Sequence, residues 1–399
     1  MPETMCPVCR SRETEVFLKR ERVPVHQNLL IEDQDAALGT PRGDICLAVC
    51  PCCGFVFNQA FELAKLSYGR HYDNTQECSA FFRNYLNRRA DYLLTEQHVT
   101  NCRIMEIGCG NGTFLRRLVE PEEAGNTGTG FDPSYTGPPS DLNGRLTFHN
   151  CYYGPQYAGV AADVVICRHV IEHVPDPMGL LSAMRKALTD SPGARVFVET
   201  PCAEWIFHHH VIWDVFYEHC SYFSAASLAR AFEASGFRVE RTEHVFVGQY
   251  LWAEATLDRE AHTATAPRLP ARMACLAEEF AARETACIKT WAAQVQSLAG
   301  RGRVALWGAG AKGVTFANLI DPQRQWIACV VDINPQKQGH YLPGTGHPIV
   351  GHQGLTDYGI RTALILNPNY YAEIAALVRK AGLDVELIDL MELPHETDH

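Results

Sequence analysis

Short apolar runs alternate with helical or turn-rich stretches from Arg103 onward. Four of them, residues 104–107, 128–131, 164–166 and 194–198, are three to five residues long and are separated by polar or glycine-containing segments. Runs of this kind are typical of buried strands. Strands that alternate with helices in this order predict an α/β fold with a doubly wound parallel sheet.

Two other stretches show helical spacing. In residues 61–98, aromatic and leucine side chains such as Phe81, Tyr85 and Leu86 recur at helical intervals, so we expect a helical segment that covers the neighbouring domain. Residues 257–299 are polar and alanine-rich with apolar residues at the same intervals, which predicts a connecting helix. A second series of strands and helices begins at Val304.

The composition is that of a folded globular protein. Of the 399 residues, 46% are hydrophobic and 20% are charged, which argues against disorder and fibrous repeats. No apolar stretch reaches the roughly 18 residues of a membrane span, and the first residues lack the order of a signal peptide, so we expect a cytoplasmic protein with no membrane partner. The net charge of −11 disfavours nucleic acid as a partner. The sequence does not indicate an oligomeric state.

Six of the sixteen cysteines fall within the first 53 residues. Two C-x-x-C knuckles, at positions 6–9 and 50–53, have the spacing that lets two thiolates bind one tetrahedral Zn²⁺. Cys46 and Cys52 are competing ligands, and free buried cysteines are the plain alternative. We predict a structural zinc site, closed because four thiolates leave no open position. Its ligands are Cys6, Cys9, Cys50 and Cys53.

A glycine-rich loop follows the first predicted strand and opens a helix. It reads Glu106-Ile-Gly108-Cys-Gly110-Asn-Gly112, and its glycines let the backbone approach a ligand closely at a helix N-terminus. Asp132 comes 26 residues after Glu106, at the end of the second strand, where a carboxylate can bind ribose hydroxyls. A purely structural turn needs neither acidic residue. The loop therefore predicts a nucleotide or cofactor site.

A second glycine-rich loop, Gly308-Ala-Gly310-Ala-Lys312-Gly313, is followed by Asp332 and matches the dinucleotide fingerprint. Its ligand is open: NAD, the diphosphate of a substrate at the helix N-terminus, or none. We rank substrate binding or scaffolding above NAD because no hydride-transfer constellation follows. We predict five parts: a zinc-binding module (1–60), a helical cover segment (61–98), a Rossmann-like domain (99–256), a helical connector (257–299) and a second Rossmann-like domain (300–399).

Two loops that carry a histidine beside a carboxylate follow later strands. One contains Glu172 and His173, and the other contains Glu218 and His219. Both follow the carboxyl ends of strands, where ligands bind in such sheets. A neutral imidazole can remove a proton from carbon next to a carbonyl at neutral pH, and a neighbouring carboxylate can orient it. For either histidine alone, hydrogen bonding in the core is the alternative.

The first glycine loop resembles motif I of class I S-adenosylmethionine (SAM) methyltransferases. With the cysteine knuckles, the sequence Glu218-His219-Cys-Ser-Tyr222-Phe and the loop at Lys312, the chain resembles the nucleotide-sugar C-methyltransferases of deoxysugar biosynthesis over nearly its whole length. Further matches are Asp332-Ile-Asn-Pro335, Lys337-Gln-Gly339 and Tyr341-Leu-Pro-Gly344.

The resemblance implies a SAM-dependent enzyme that methylates carbon next to the ketone of a nucleoside-diphosphate-linked keto sugar, with structural Zn²⁺. It implies His219 as general base beside Glu218, with His173 and Tyr72 facing the sugar. The cofactor residues that it implies are Glu106, Gly108, Gly110, Gly112, Asp132, Arg168 and His169, with Asp163 on the strand before Arg168. The substrate residues are Tyr222, Lys312 and Lys337.

Departures from the family leave the sugar open. Many relatives read Tyr-His-Glu-His where this chain reads Phe216-Tyr217-Glu218-His219, so a hydroxyl is absent at position 216 and Tyr217 is the candidate to replace it. A late Trp-Asn element appears as Asn367-Pro-Asn369. An O- or N-methyltransferase of another small natural-product intermediate stays open, as does a noncatalytic SAM- or nucleotide-binding protein.

Overall fold

The computed structural model describes residues 5–69, 71–258 and 272–392. In chain order, its strands are β1 (Glu15–Pro24), β2 (Arg42–Val49), β3 (Val56–Asn58), β4 (Arg103–Ile107), β5 (Thr127–Phe131), β6 (Ser140–Asp141), β7 (Leu146–His149), β8 (Val164–Arg168), β9 (Arg195–Pro201), β10 (Ser221–Tyr222), β11 (Phe237–Val245), β12 (Tyr250–Leu257), β13 (Arg303–Trp307), β14 (Ile327–Val331), β15 (Ile349–Val350), β16 (Ile360–Ile365) and β17 (Glu386–Asp389). Its α-helices are α1 (Gln34–Leu38), α2 (Ala80–Asp91), α3 (Thr113–Val119), α4 (Pro177–Ala187), α5 (Ala203–His208), α6 (Ala225–Ala234), α7 (Arg272–Arg301), α8 (Ala311–Ile320) and α9 (Tyr371–Lys380).

A small antiparallel sheet forms the N-terminal module. Its strand order is β1-β2-β3-β10, so the fourth strand comes from the central part of the chain. Ser221 and Tyr222 of β10 pair with Phe57 and Val56 of β3. The module is therefore hydrogen-bonded to the segment that directly follows His219.

The central sheet has the order β11-β12-β9-β8-β4-β5-β7-β6. The strands from β9 to β7 are parallel, whereas β12 and β6 join the sheet antiparallel. Apolar side chains fill both faces, as a sheet covered on both sides by helices requires. The carboxyl ends of β4, β5, β8 and β9 bring the glycine loop, Asp132, His169 and Pro201 to one edge of the sheet.

The third sheet is parallel throughout and has the order β15-β14-β13-β16-β17. It repeats the predicted alternation of strands and helices, so the α/β class with two separate sheets is confirmed. The helix α7 joins the parts: its Trp291 is buried and lies edge-to-face with Trp213 at 5.9 Å between ring centroids. Of the predicted connector, residues 259–271 lie outside the described residues.

The cover segment differs from the helical prediction over residues 61–69 and 71–79. Its α-helix begins only at Ala80, where the Ser79 side chain accepts the N–H of Phe82 as the N-cap. The apolar periodicity also starts there. The polar chain before it is mostly irregular and bridges to the N-terminal module at Leu29 and Tyr72. Among the described helices, none combines the length and the hydropathy of a membrane span.

Candidate active site

The first glycine loop turns from β4 into α3 in a conformation that requires glycine. Gly108 and Gly112 have φ angles of +74° and +78°. A Cβ at Gly108 would lie 2.0 Å from Val170, and one at Gly112 would lie 2.6 Å from Phe148. At Gly110 a Cβ would meet nothing within 4 Å. The loop therefore packs tightly against its neighbours at Gly108 and Gly112 and leaves space beside Gly110, where a ligand can approach the backbone.

Two acidic residues flank this loop. Asp132 Oδ2 accepts the Gly110 N–H at 2.8 Å, and its Oδ1 accepts the Ser134 N–H at 2.8 Å. A carboxylate has about four acceptor positions, so Asp132 retains capacity for ribose hydroxyls. Glu106 is 2% exposed, and its Oε2 has no hydrogen-bond partner among the described residues. Burial raises the pKa of Glu106 to about 8, although the charge of Arg168 opposes the shift.

A buried charge network lies beneath the loop. Arg168 Nη2 lies 3.3 Å from Glu199, and its guanidinium covers the ring of Phe114 at 4.3 Å. The ring nitrogens of His169 lie 3.4 Å from Glu172 Oε1 and 2.8 Å from Glu199 Oε1. Burial opposes the charged imidazole, but these two carboxylates outweigh it and raise the pKa of His169 to about 9. His169 is therefore a cation in the wall of the site at neutral pH.

His219 and His173 meet at the carboxyl edge of the sheet. Their rings lie edge-to-face with centroids 4.7 Å apart, and Tyr68 shares a 3.1 Å hydrogen bond with His173 Nδ1. Nδ1 of His219 is buried and without a hydrogen-bond partner in the described chain. Burial, followed by the charges of His173, His169 and Lys312, holds the pKa of His219 well below 6.5. The imidazole is neutral at pH 7, as a general base must be.

The carboxylate next to His219 in space is Glu172 and not Glu218, contrary to the sequence-based pairing. One ligand atom each of Glu172, His173 and His219 lie within 4.8 Å of one another. Glu218 points the other way, and its Oε1 lies 3.2 Å from Nδ1 of His26. Adjacent side chains in this non-helical loop diverge, so sequence adjacency does not make a pair. Both carboxylates still line the same cavity.

Three other residues lie away from the positions that the sequence suggested. Tyr217 packs in the N-terminal core, with its hydroxyl 2.8 Å from the backbone nitrogen of Glu62, and does not replace the missing hydroxyl at 216. Tyr222 bonds both backbone groups of Phe216, which closes the loop around His219. Asp163 precedes β8 at its amino end and pairs with Arg103. The sheet therefore separates Asp163 from the ligand edge.

A cavity of about 250 Å³ joins the histidine pair to the second glycine loop. Its lining includes His173, His219 and Tyr72 together with Gly308, Gly310, Ala311, Lys312, Gly313 and Asp332. Asp332 accepts the Ala309 and Asn334 N–H groups at 2.8 Å. Asp132 makes the same pattern of hydrogen bonds in the first loop. The cavity thus runs from one sheet to the other.

Two lysines in this cavity wall already have partners. The ammonium of Lys312 pairs with Asp214 on the chain that leads to His219. Lys337 is 6% exposed, and its Nζ donates to Asn28 Oδ1 at 3.0 Å and to the Ala309 carbonyl at 3.2 Å. An anionic ligand in this cavity would therefore meet two positioned cations.

The four predicted zinc ligands come together at the tip of the N-terminal sheet. Cys6 Sγ lies 3.6 Å from Cys53 Sγ, Cys9 Sγ lies 3.5 Å from Cys50 Sγ, and the four sulfurs lie within 4.8 Å of one another. Tetrahedral bonds of about 2.3 Å to Zn²⁺ would place the sulfurs about 3.8 Å apart, so the cluster fits the metal. Cys52 instead contacts Ser11 and Glu13.

Several of the residues that line the cavity were not predicted from the sequence. Asn28 of the N-terminal module lines the cavity, as do Asp214, Gln249 and Tyr250 of the central domain. A run of polar residues, His26-Gln-Asn28, directly after an apolar strand end was the available signal. This polar run does not indicate which distant residues His26 and Asn28 bind.

Comparison with known proteins identifies the class. A methyltransferase domain model matches residues 73–242, and a C-methyltransferase C-terminal domain model matches residues 272–383. The chain is a SAM-dependent methyltransferase. C-methyltransferase NovU of Streptomyces niveus is 26% identical to it over 399 aligned positions, which cover 94% of this chain and 91% of NovU. The resemblance to C-methyltransferases is confirmed, and the deoxysugar substrate stays a prediction.

Other similarities are confined to part of the chain. A ubiquinone biosynthesis O-methyltransferase of Hydrogenovibrio crunogenus is 28% identical over 120 residues, 28% of this chain and about half (48%) of that protein. Magnesium protoporphyrin IX methyltransferase of Synechocystis, solved with bound S-adenosylhomocysteine, is 16% identical and has a TM-score of 0.35 over 45% of this chain and 87% of its own. The assignment of the fold rests on the strand order given above.

Proposed function

We propose that the enzyme transfers the methyl group of SAM to a carbon next to the ketone of a nucleotide-linked keto-deoxysugar. One observation carries this proposal: a single cavity connects the neutral His219 to the glycine loop of the second Rossmann-like domain. The sugar and diphosphate of a nucleoside-diphosphate sugar suit this lining, with the reactive sugar beside His219 and the anionic diphosphate beside the glycine loop. The similarity to NovU over 94% of the chain supports transfer to carbon.

At the sugar end, His219 has the properties of a base that acts on carbon. It is neutral, buried and without a hydrogen-bond partner at Nδ1 in the described chain. Removal of a proton from the carbon next to the ketone leaves an enolate, whose negative charge is shared with the ketone oxygen. The proton moves to His219, where the carboxylate of Glu172, close enough to share a ligand site with it, stabilises the imidazolium.

Tyr72 and His173 line the same cavity as His219 and are the candidates to hydrogen-bond the developing oxyanion. When SAM is bound, its sulfonium carries the electrophilic methyl that forms the new carbon–carbon bond. We propose that Gly108, Gly110 and Gly112 hold its methionine and ribose, with Glu106 and Asp132 on the polar groups. We propose that Arg168 and His169 hold the carboxylates of Glu172 and Glu199 in place beneath this loop.

We propose that the second glycine loop, Gly308–Gly313, which contributes to the wall of this cavity, receives the diphosphate. The loop opens α8, whose N-terminal N–H groups and dipole favour an anion. Lys312 and Lys337 add charge: a phosphate can replace Asp214 as the partner of Lys312 and can join Asn28 at Lys337. The test is mass spectrometry of reactions that contain SAM and nucleotide-linked keto sugars: we expect one added methyl per sugar, and no product from the free sugar.

We further propose that Cys6, Cys9, Cys50 and Cys53 bind one structural Zn²⁺. The cluster is mostly buried and has no open position for a substrate. Because β3 of the same module pairs with β10, the metal would stabilise the strand that follows His219.

The replacement Asp132→Ala is expected to weaken SAM binding. It removes the acceptor for two ribose hydroxyls, which costs about 1.5–3 kcal/mol, or roughly tenfold or more in Kd. Calorimetric titration measures this. Asp132→Asn is the matched control, because its amide oxygen can still accept the Gly110 N–H and keep the loop closed. Equal affinity of wild type and Asp132→Ala for SAM would refute the assignment.

The dependence of kcat on pH tests the ionisation states. Since the pKa of His219 lies well below 6.5, its base form is present throughout the neutral range, and kcat should stay level from about pH 8 down to 6.5. His169 keeps its proton up to about pH 9, so activity should fall only as the pH rises through that value. An acid limb with a midpoint near 7 would show that His219 is not the base.

A further inference from the structure

Three consecutive polar residues of the N-terminal module are buried under the cavity. His26, Gln27 and Asn28 are 4%, 2% and 4% exposed, and Asn28 lines the cavity itself. Buried polar side chains are stable only where hydrogen bonds replace those to water. Apart from Pro24, whose carbonyl accepts the Gln27 side-chain N–H, the partners of this segment belong to the cover segment, the central domain and the C-terminal domain. The segment is thus part of the wall between the domains.

Asn28 connects a lysine to a tyrosine. Lys337 Nζ lies 3.0 Å from the side-chain oxygen of Asn28, and the Asn28 amide nitrogen lies 3.5 Å from the hydroxyl of Tyr72. An ammonium group can only donate, so the atom that faces Lys337 must be the oxygen, and the NH₂ group must face Tyr72. The tyrosine oxygen then accepts a hydrogen bond from Asn28. Its own proton remains available for an acceptor, and both residues line the cavity.

Backbone pairing fixes Tyr72 in this position. Residues 29 and 72 form an antiparallel bridge. Next to it, the Asp73 N–H donates to the Asn28 carbonyl at 2.9 Å, and the Leu30 N–H donates to the His71 carbonyl at 2.8 Å. The N-terminal segment therefore holds both the backbone and the hydroxyl of Tyr72.

The N-terminal segment also holds the carboxylate of Glu218, through His26 and Gln27. The Ser67 N–H donates to Nε2 of His26 at 3.1 Å, which leaves the proton of the neutral ring on Nδ1. Nδ1 then donates to Glu218 Oε1 at 3.2 Å, and the Gln27 N–H donates to Oε2 at 3.3 Å. Both oxygens of this fully buried carboxylate are held by the N-terminal segment.

We propose that residues 26–28 belong to the catalytic site and that Asn28 is a positioning residue for Tyr72. The bond from Asn28 turns the tyrosine proton toward the ketone oxygen of the acceptor, where it forms a hydrogen bond as negative charge develops. No proton is transferred in this contact. Burial, with the charge of Glu218, holds the pKa of Tyr72 well above its ordinary value, so the hydroxyl remains a donor. The identity of the acceptor rests on the proposed function.

A double-mutant cycle of Asn28→Asp and Tyr72→Phe tests the proposal. The new carboxylate still binds Lys337 but accepts the tyrosine proton and diverts it from the acceptor. Asn28→Asp should therefore lower kcat by about tenfold or more. Its charge beside Lys337 should also raise KM, and that rise should be the same in the Tyr72→Phe background. In the Tyr72→Phe background, the same replacement should change kcat by less than about twofold. Asn28→Ser, which loses the bond without adding charge, gives a second cycle if Asn28→Asp folds poorly.

The matched control is Asn318→Asp, since Asn318 also joins two parts of the chain through its side chain but lies away from Tyr72. Its effects should be the same with and without the Tyr72 hydroxyl. Losses of kcat from Asn28→Asp that are equal in the two backgrounds, or an effect that falls on KM alone, would overturn the proposal.

A measurement without substrate separates this inference from the proposed function. Fluorotyrosine is incorporated throughout, and the ¹⁹F resonance of Tyr72 is assigned by its absence in Tyr72→Phe. We expect this resonance to move in Asn28→Asp and Asn28→Ser and to stay in place in Asn318→Asp. If wild type methylates no nucleotide-linked keto sugar, the proposed function fails while a moved resonance still supports the contact. An unmoved resonance refutes it.

Discussion

Replacing His219 by asparagine is expected to lower kcat by about 10²- to 10⁴-fold, the usual contribution of a positioned general base. Asparagine keeps a polar side chain of similar size but cannot accept the proton at neutral pH. The affinity for SAM should change by less than about twofold, because His219 lines the acceptor cavity and not the first glycine loop. Single-turnover kinetics and calorimetry measure the two quantities separately.

The control for this variant is His208→Asn, which removes an exposed imidazole at the end of α5 and should leave kcat unchanged. His173→Asn should cost less than His219→Asn, since His173 is the candidate to bind the oxygen and not to remove the proton. Methyl transfer at the wild-type rate in His219→Asn would rule out His219 as the base.

Loss of one zinc ligand should have the second large effect. Structural Zn²⁺ contributes roughly 10–16 kcal/mol of apparent binding energy in zinc-finger peptides, as much as the whole stability of a typical domain. Cys53→Ser is therefore expected to lose the metal and to unfold the N-terminal sheet. Activity should fall with it, because β3 of that sheet pairs with β10, which starts two residues after His219.

Cys52→Ser is a matched control from the same turn. Cys52 contacts Ser11 and Glu13 and lies outside the four-thiol cluster, so this variant should keep one Zn²⁺ per chain and its thermal stability. Elemental analysis and thermal denaturation of the two variants side by side give the answer. Wild-type protein without zinc after gentle purification would contradict the metal site.

Four strands of the central sheet, β4, β5, β8 and β9, could be predicted because their signal is local. The runs at 104–107 and 128–131 lie within β4 and β5, and each observed strand is one residue longer. Continuous apolar runs are what a sheet with two covered faces requires. The signal for the first glycine loop was equally local, because the φ angles of Gly108 and Gly112 exclude most other residues.

The arrangement of the active site depends on contacts that the sequence does not encode locally. Glu218 and His219 are neighbours in the chain, yet Glu218 binds His26, which is 192 residues away. Glu172 takes its place near His219 because the turns after β8 and β9 meet at the same edge of the sheet. Without the topology, nothing distinguishes these two carboxylates.

The helical prediction for the first part of the cover segment was wrong for a related reason. From Phe81 onward the helical period is real, and α2 follows it. Before Ala80 the chain pairs with the N-terminal module through Tyr72 and lines the cavity, and its polar residues serve that position and not a helix. The sequence shows a polar stretch but not what covers it.

The position of the new methyl group on the acceptor tests the central claim most directly. SAM with a ¹³C-labelled methyl group is reacted with a uniformly ¹³C-labelled nucleotide-linked keto-deoxysugar, and the product is examined by carbon NMR. Transfer to carbon predicts a one-bond ¹³C–¹³C coupling between the methyl group and the ring carbon next to the ketone. A labelled methyl group without that coupling, attached to oxygen or nitrogen, would contradict the account.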